Sequence, residues 1–366
     1  MPDPQPRIAI DARYWRGSIQ TGVERYIHLL LEALAAAGAD PLEVGLVLAE
    51  REAPAFRAGS RPGLRVRTVT VPDKRGASLG RALDALSPDV VHFPFDLPAR
   101  LTHPSVFTLH DAGRYLFPEQ MVAAVRDVQN GRLTAHLADP LLRSVITVSE
   151  ASRRDITRVL GDLPKPLEVV PNFVSRDFAR LLAADHRAPA GQEPFLLGVG
   201  VYMPSKNVPG LVRAFRRART LAPGSVPARL LLAGRRGWER ALPSAQDPAV
   251  TVLGHIDDTE LAALYGQAAA FVFPTLFEGF GIPAQEALAA GRPLLCSDLP
   301  VLREVTGDLA QYVDPRDDEA LAKGIIAISS AAPAPPGAVR SLLERYSPET
   351  IGPDLLALYR RASRQA

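Results

Sequence analysis

From residue 7 onward, short runs of β-branched and aliphatic residues alternate with longer stretches whose apolar positions recur every three or four residues. The short runs are continuous and bounded by turn residues, so they read as buried strands, and the longer ones read as amphipathic helices. In the first half this pattern predicts strands at 7–10, 43–48, 66–71, 90–93, 106–109, 145–148 and 167–170. In the second half it predicts strands at 195–200, 229–233, 251–253, 270–273, 293–296 and 311–313. Apolar strands separated by helical segments are the mark of parallel sheets covered on both faces, so the fold class is α/β. The clearest helical segment spans 24–37 and meets Gly38, a residue suited to a left-handed cap.

Residues 183–194 interrupt the rhythm with small, polar and proline positions that follow no period. They predict an interdomain linker. The expected domains are 1–184 and 185–349, with a final amphipathic segment within 350–366 returning to the first. Asp257 and Glu260 form a capping-box pattern, Pro283 suits a first helical turn, and Gly291 suits a helix end. Residues 331–336 read as a surface loop.

Composition narrows the function. The chain has 366 residues, 47% hydrophobic and 22% charged, with a net charge of +2. It is long enough for two cores, and no charged tail invites nucleic acid. Cys296 is the only cysteine, so no intrachain disulfide or cysteine-rich metal site can form, and its apolar surroundings predict a buried thiol. The polar, proline-containing start and the lack of any membrane-length apolar window predict a cytoplasmic protein.

The chemistry concentrates in Phe277-Glu278-Gly279-Phe280-Gly281-Ile282-Pro283-Ala284-Gln285-Glu286, which follows an expected strand and opens an expected helix. Glycines at a strand-to-helix turn allow a bulky anion to approach the backbone, and the helix start offers N–H donors. Glu278 and Glu286 flank that turn. Carboxylates repel phosphate, so hydroxyls are their sensible partners. A ligand with a central diphosphate and a sugar on each side satisfies the arrangement.

This segment resembles the E-x7-E signature of the retaining family 4 glycosyltransferases of GT-B fold. Val199-Gly200-Val201-Tyr202-Met203-Pro204-Ser205-Lys206-Asn207 is similar to the family's loop with a Lys-Asn pair. Similarity continues at Leu231 to Trp238, at Gly254-His255-Ile256, at Thr21 to Tyr26, and at His110-Asp111 with Phe117-Pro118-Glu119. The pattern resembles that of bacterial mannosyltransferases which build O-antigen and other surface polysaccharides.

The resemblance implies two facing Rossmann-like domains with a cleft between them, the second holding a nucleoside diphosphate sugar. Glu278 would bond donor-sugar hydroxyls, Glu286 the ribose, and Lys206 the leaving diphosphate. Gly279, Phe280, Gly281 and Ile282 would face the diphosphate and sugar, with Ser205, Asn207, Gly234, Arg235 and His255 around the same donor. Gly22 would approach the diphosphate from the first domain. His110 would lie near the reacting sugar, on the acceptor side with Asp111, which by residue type can equally cap the next segment. Glu278, Lys206 and His110 are the expected catalytic residues.

The chain departs from the pattern in one respect. Many relatives carry an arginine at the position of Val201 or just before the lysine, where this chain has Ser205. Arg235 or Arg236 is a candidate for the second positive charge. No cofactor is expected, and metal coordination is not, because Asp257-Asp258 and Asp317-Asp318 fall at helix starts. The implied partners are a nucleoside diphosphate sugar, GDP-mannose by preference, and a saccharide or polyprenyl-diphosphate-linked glycan. The second of these implies transient contact with the inner membrane face.

Rival readings are weaker. A dehydrogenase is disfavoured because Gly198-Val199-Gly200 meets Met203 where a third glycine belongs. No phosphate-binding G-x-x-x-x-G-K pattern occurs. A non-hydrolysing sugar-nucleotide epimerase and a non-catalytic sugar-nucleotide-binding protein remain as alternatives.

Overall fold

Every apolar run expected to form a strand does so. The structure is a computed structural model and describes residues 5–15, 22–38, 41–56, 61–72, 78–186, 191, 193–235 and 247–364. Thr21, residues 187–190 and 192 of the expected linker, and Arg236 to Trp238 lie outside these residues. The chain divides into two units, Met1–Asn172 with Tyr346–Ala366, and Phe173–Arg345.

In the first unit, strands β1 (Ile8–Asp11), β2 (Leu42–Ala49), β3 (Leu64–Val71), β4 (Val90–Phe93), β5 (Ser105–Thr108), β6 (Leu142–Thr147) and β7 (Leu167–Val169) form one sheet. Its order is β3-β2-β1-β4-β5-β6-β7, and every pairing is parallel. Helices α1 (Gly22–Ala36), α2 (Leu79–Leu86), α3 (Gly113–Leu116), α4 (Ala123–Leu137) and α5 (Glu150–Leu160) connect the strands. Residues of β1 and β4 are buried along their whole length, which explains why their apolar runs do not alternate. Strand order reverses between β1 and β4. In open parallel sheets, ligands sit beyond the carboxyl ends of the strands at such a switch.

The second unit contains α6 (Arg176–Leu182), β8 (Phe195–Val199), α7 (Val208–Leu221), β9 (Arg229–Ala233), β10 (Val250–Gly254), α8 (Asp258–Gln267) and β11 (Ala270–Phe273). It continues with α9 (Ile282–Ala289), β12 (Leu294–Ser297), α10 (Pro300–Thr306), β13 (Gln311–Val313), α11 (Asp318–Ile328) and α12 (Pro336–Arg345). The sheet order is β10-β9-β8-β11-β12-β13, again all parallel, with its switch between β8 and β11. Asp257 accepts the Glu260 N–H at 2.8 Å, and Asp317 accepts the N–H groups of Glu319 and Ala320 at 2.9 Å, so both aspartates cap helices. Gly291, at φ +66°, ends α9, and Cys296 is fully buried in β12.

One expectation needs correcting. The units divide at Asn172/Phe173 and Arg345/Tyr346 rather than at 184/185 and 349/350. The polar break at 183–194 misplaces the boundary because α6, which precedes it, packs on the second unit. Phe178 of α6 meets Tyr265 of α8 edge-on at 6.3 Å. His186, inside the expected linker, packs against Gly266.

The last helix, α13 (Pro348–Arg364), returns to the first unit as its amphipathic pattern suggests. It lies so close to α1 that a Cβ on Gly352 would sit 2.2 Å from the Ala33 carbonyl oxygen. Tyr359 of α13 is fully buried, with its hydroxyl 2.6 Å from His92 Nδ1.

Candidate functional site

The loops that leave β8 and β11 meet at the switch point of the second sheet. Beyond β8 the chain makes a single 3-10 turn, Pro204–Lys206, and then enters α7. Beyond β11 it runs through Pro274 and Thr275 to Glu278 and the glycine turn that opens α9. The two loops are tied together by backbone. The Ser205 carbonyl accepts the Leu276 N–H at 2.6 Å, and the Thr275 hydroxyl lies 2.7 Å from the same oxygen.

This tie brings Lys206 Nζ to 2.5 Å from Glu278 Oε1. Both side chains are largely withdrawn from water, at 22% and 10% exposure. The lysine stem lies against Gly200, and its ammonium is 5.6 Å from the centre of the Phe273 ring. A pair held this way keeps both charges in fixed places without a solvent shell between them. Lys206 and Glu278, expected to touch different parts of one ligand, therefore start in contact with each other.

Gly281, at φ +97°, makes the turn into α9, and a Cβ there would meet Leu302 at 2.7 Å. Pro283 follows Ile282 within the first helical turn, and Phe280 is buried. Glu286 is not a solvated helix residue. It is buried, and its Oε2 accepts the Tyr265 hydroxyl at 2.9 Å.

Gly234 supports the same edge from β9. A Cβ at this position would lie 1.8 Å from the Gly200 carbonyl oxygen, so only glycine allows the loops after β8 and β9 to run so closely. Arg235 follows directly, its carbonyl accepting the Tyr202 N–H at 3.0 Å. Its buried Nε has no hydrogen-bond partner among the described residues.

Asn207, one of the expected donor residues, uses its side chain within the fold. The Asn207 amide donates to the Pro315 carbonyl at 2.8 Å, and Asn207 itself holds a left-handed conformation at φ +52° that opens α7. His255 is exposed on the loop after β10.

Sequence reasoning missed the hydroxyls beneath the site. Thr275 and Ser297 are fully buried. The Ser297 hydroxyl donates to the Thr275 carbonyl at 2.6 Å, which links β12 to the loop that carries Glu278. The available signal was a small hydroxyl residue at the carboxyl end of each of two adjacent apolar strands. Tyr265 was also missed, because a tyrosine on an amphipathic helix reads as core.

In the first unit, His110 lies just beyond β5 and donates its Nε2–H to the Pro94 carbonyl at 2.8 Å. Tyr26 packs edge-on against it at 4.6 Å. Burial lowers the His110 pKa below the usual imidazole value, which favours a neutral ring. With Nε2 protonated, Nδ1 is the acceptor. Asp111 accepts the Gly113 N–H on Oδ1 at 2.6 Å, at the start of the α3 turn. Gly22 opens α1, and nothing described lies within 4 Å of where a Cβ would be.

Behind His110, His92 is fully buried between Tyr359 and Thr108 Oγ1, the latter 2.7 Å from Nε2. Thr108 also meets the Tyr26 hydroxyl at 3.0 Å. The ring that touches His110 is thus held by a polar chain reaching the last helix.

Comparison with known proteins places both halves of the chain. The family described as "Glycosyltransferase Family 4" matches residues 20–178, and "Glycosyl transferases group 1" matches residues 193–330, between them most of the chain. O-antigen chain mannosyltransferase B of Escherichia coli is 30% identical over 65% of this chain and 64% of its own length. O-antigen chain mannosyltransferase RfbU of Salmonella typhimurium is 27% identical over 58% of this chain and 57% of its own. The aligned region thus spans somewhat less than two thirds of each relative. Among solved structures, sucrose-phosphate synthase from Thermosynechococcus elongatus superposes with a TM-score of 0.69 at 21% identity, covering 97% of this chain and 98% of that one. With two parallel-sheet Rossmann-like units and both halves matched, the chain belongs to the family 4, group 1 glycosyltransferases of GT-B fold.

Proposed function

We propose that this chain transfers a hexose, mannose by preference, from a nucleoside diphosphate sugar to a saccharide acceptor with retention at the anomeric carbon. The observation that carries the reading is the Lys206–Glu278 pair at the switch point of the second sheet, beside the glycine turn into α9. In this reading Lys206 moves from Glu278 to the diphosphate, and the freed Glu278 carboxylate bonds hydroxyls of the donor sugar. Gly279, Phe280, Gly281 and Ile282 line the sugar and diphosphate. Glu286, oriented by Tyr265, bonds the ribose.

The acceptor oxygen forms its bond to the anomeric carbon as the carbon–phosphate-oxygen bond breaks. The departing diphosphate oxygen takes the acceptor's proton. Its charge is met by Lys206 and the start of α9, with no metal ion required. Positioning and electrostatics then do the catalysis, and no side chain acts as a covalent nucleophile.

Mannose and a polysaccharide product are supported by the named activities of the relatives. An acceptor carried on a polyprenyl diphosphate would bring the protein to the inner membrane face. No described helix is long and apolar enough to cross a membrane.

A thermal-shift series with GDP-mannose, UDP-glucose, UDP-N-acetylglucosamine, dTDP-rhamnose, the free diphosphates and NAD tests the donor. A ligand at a hundred times its dissociation constant should stabilise the fold by about 2.7 kcal/mol. The expected result is a shift with GDP-mannose and GDP. No shift with any sugar nucleotide, or a shift with NAD alone, overturns the reading.

A further inference from the structure

The first sheet has its own switch point, between β1 and β4, and the residues just beyond those strands form a second polar cluster. Pro94-Phe95-Asp96, at the end of β4, is its hub. Pro94 gives its carbonyl to His110 Nε2. Phe95 packs against Tyr14, from beyond β1, with ring centres 5.0 Å apart. Asp96 takes the Tyr14 hydroxyl at 3.1 Å and Arg132 Nη1, from α4, at 2.8 Å.

Both donors converge on Oδ2 of Asp96. Oδ1 takes no hydrogen bond among the described residues, although the side chain is only 10% exposed. A carboxylate withdrawn from water costs free energy unless its oxygens are satisfied, so a half-used carboxylate at a ligand-binding edge is an acceptor held ready. Burial raises the Asp96 pKa above the ordinary carboxylate value, opposed by the charges of Arg132 and Arg114 and by the Tyr14 hydrogen bond, and Arg114 also disfavours protonated His110. His110 Nδ1 is likewise without a partner among the described residues.

We propose that Tyr14, Phe95, Asp96, Arg132 and His110 form a subsite for a saccharide ring, with Asp96 as the carboxylate that receives its hydroxyls. Two open acceptors, the remaining Arg132 N–H donors and the partly exposed Tyr14–Phe95 aromatic pair match a polyol that is polar at its edge and apolar on its face. A plain structural ion pair explains the cluster less well, because it gives Oδ1 no role. The subsite deepens the transfer reading, on which it rests for identifying the bound ring as the acceptor.

Saturation-transfer NMR on the full chain, without nucleotide, tests the subsite with methyl α-mannoside, methyl α-glucoside, methyl α-galactoside and N-acetylglucosamine as probes. The wild type should transfer saturation to at least one probe. Asp96→Asn and Arg132→Gln should each abolish most of that signal, while Glu278→Ala preserves it. Tyr14→Phe, which keeps the ring, should weaken it less and gives a milder variant if Asp96→Asn fails to fold. The subsite is overturned if no probe binds the wild type, if binding survives both Asp96→Asn and Arg132→Gln, or if Glu278→Ala removes it. Nucleotide binding without glycoside binding would sink this inference alone. Glycoside binding without nucleotide binding would sink the donor reading and leave the subsite standing.

Discussion

Lys206 and Glu278 are 72 positions apart in sequence, yet their side chains meet at 2.5 Å across two loops of one sheet edge. The contact depends on backbone, since the Ser205 carbonyl, next to Lys206, is held by the N–H of Leu276 and the hydroxyl of Thr275. Each charge holds the other in place.

Removing either partner should therefore have distinct effects. Glu278→Ala should lower transfer at least about a hundredfold, the scale of losing one preorganised electrostatic group. Lys206→Ala should weaken nucleoside diphosphate binding by calorimetry and leave Glu278 without its counter-charge. The double variant should lose less than the sum of the two singles, because the residues share one interaction. Near-normal turnover of Glu278→Ala refutes its role.

Thr275→Val removes a buried hydroxyl while keeping the side-chain shape. The loss of one hydrogen bond should cost about 0.5–1.5 kcal/mol in denaturant unfolding. The effect on turnover should be larger in proportion, about ten- to a hundredfold in kcat, because Lys206 and Glu278 lose their common support. An unchanged kcat alongside reduced stability would show that the tie is only structural.

Gly234→Ala places a methyl group 1.8 Å from the Gly200 carbonyl oxygen, at φ +144°. Neither loop is free to yield, since Gly200 donates to Ala233 and Gly234 donates to Gly254. The expected loss is above about 3 kcal/mol. Gly337→Ala, in α12 with open space around it, should instead be neutral or stabilise by about 0.4–1 kcal/mol. Equal thermal midpoints for the two variants would contradict the packing argument.

Burial pushes the His92 pKa down to about 3, whereas an unfolded histidine titrates near 6.5. The unfolded chain therefore binds this proton first. The stability tied to neutral His92 is intact above about pH 6.5 and is lost as pH falls toward 3, by up to about 1.4 kcal/mol per unit. His92→Gln, which cannot titrate, should unfold with a shallower dependence on pH between 6.5 and 4. An identical acid-side slope in thermal unfolding would rule out His92 as its source.

Much of the site was legible because it is local. The glycine turn at 279–281, Pro283, and the carboxylates at 278 and 286 stand in one stretch, and their spacing around a helix start carries chemical meaning. Lys206 was legible by its place after an apolar strand. Their mutual contact was not, and neither was the support from Thr275 and Ser297, because these link separate strands. Asp96 shows the same limit more sharply. In the sequence it is one aspartate in a Phe-Asp-Leu-Pro segment, and only the positions of Tyr14 and Arg132 reveal that one of its oxygens is left open.

The sequence by itself determined the thirteen strands of the described residues, the parallel α/β class, the helix caps at Asp257 and Asp317, and the return of the last helix. These follow from periodicity and turn chemistry, which act over a few residues. Tertiary structure alone decided that α6 belongs with the second unit, that Asp111 starts a turn, and that Lys206 pairs with Glu278. Those outcomes turn on which strand ends become neighbours at a switch point, and a parallel sheet makes neighbours of residues whose separation along the chain carries no local signal.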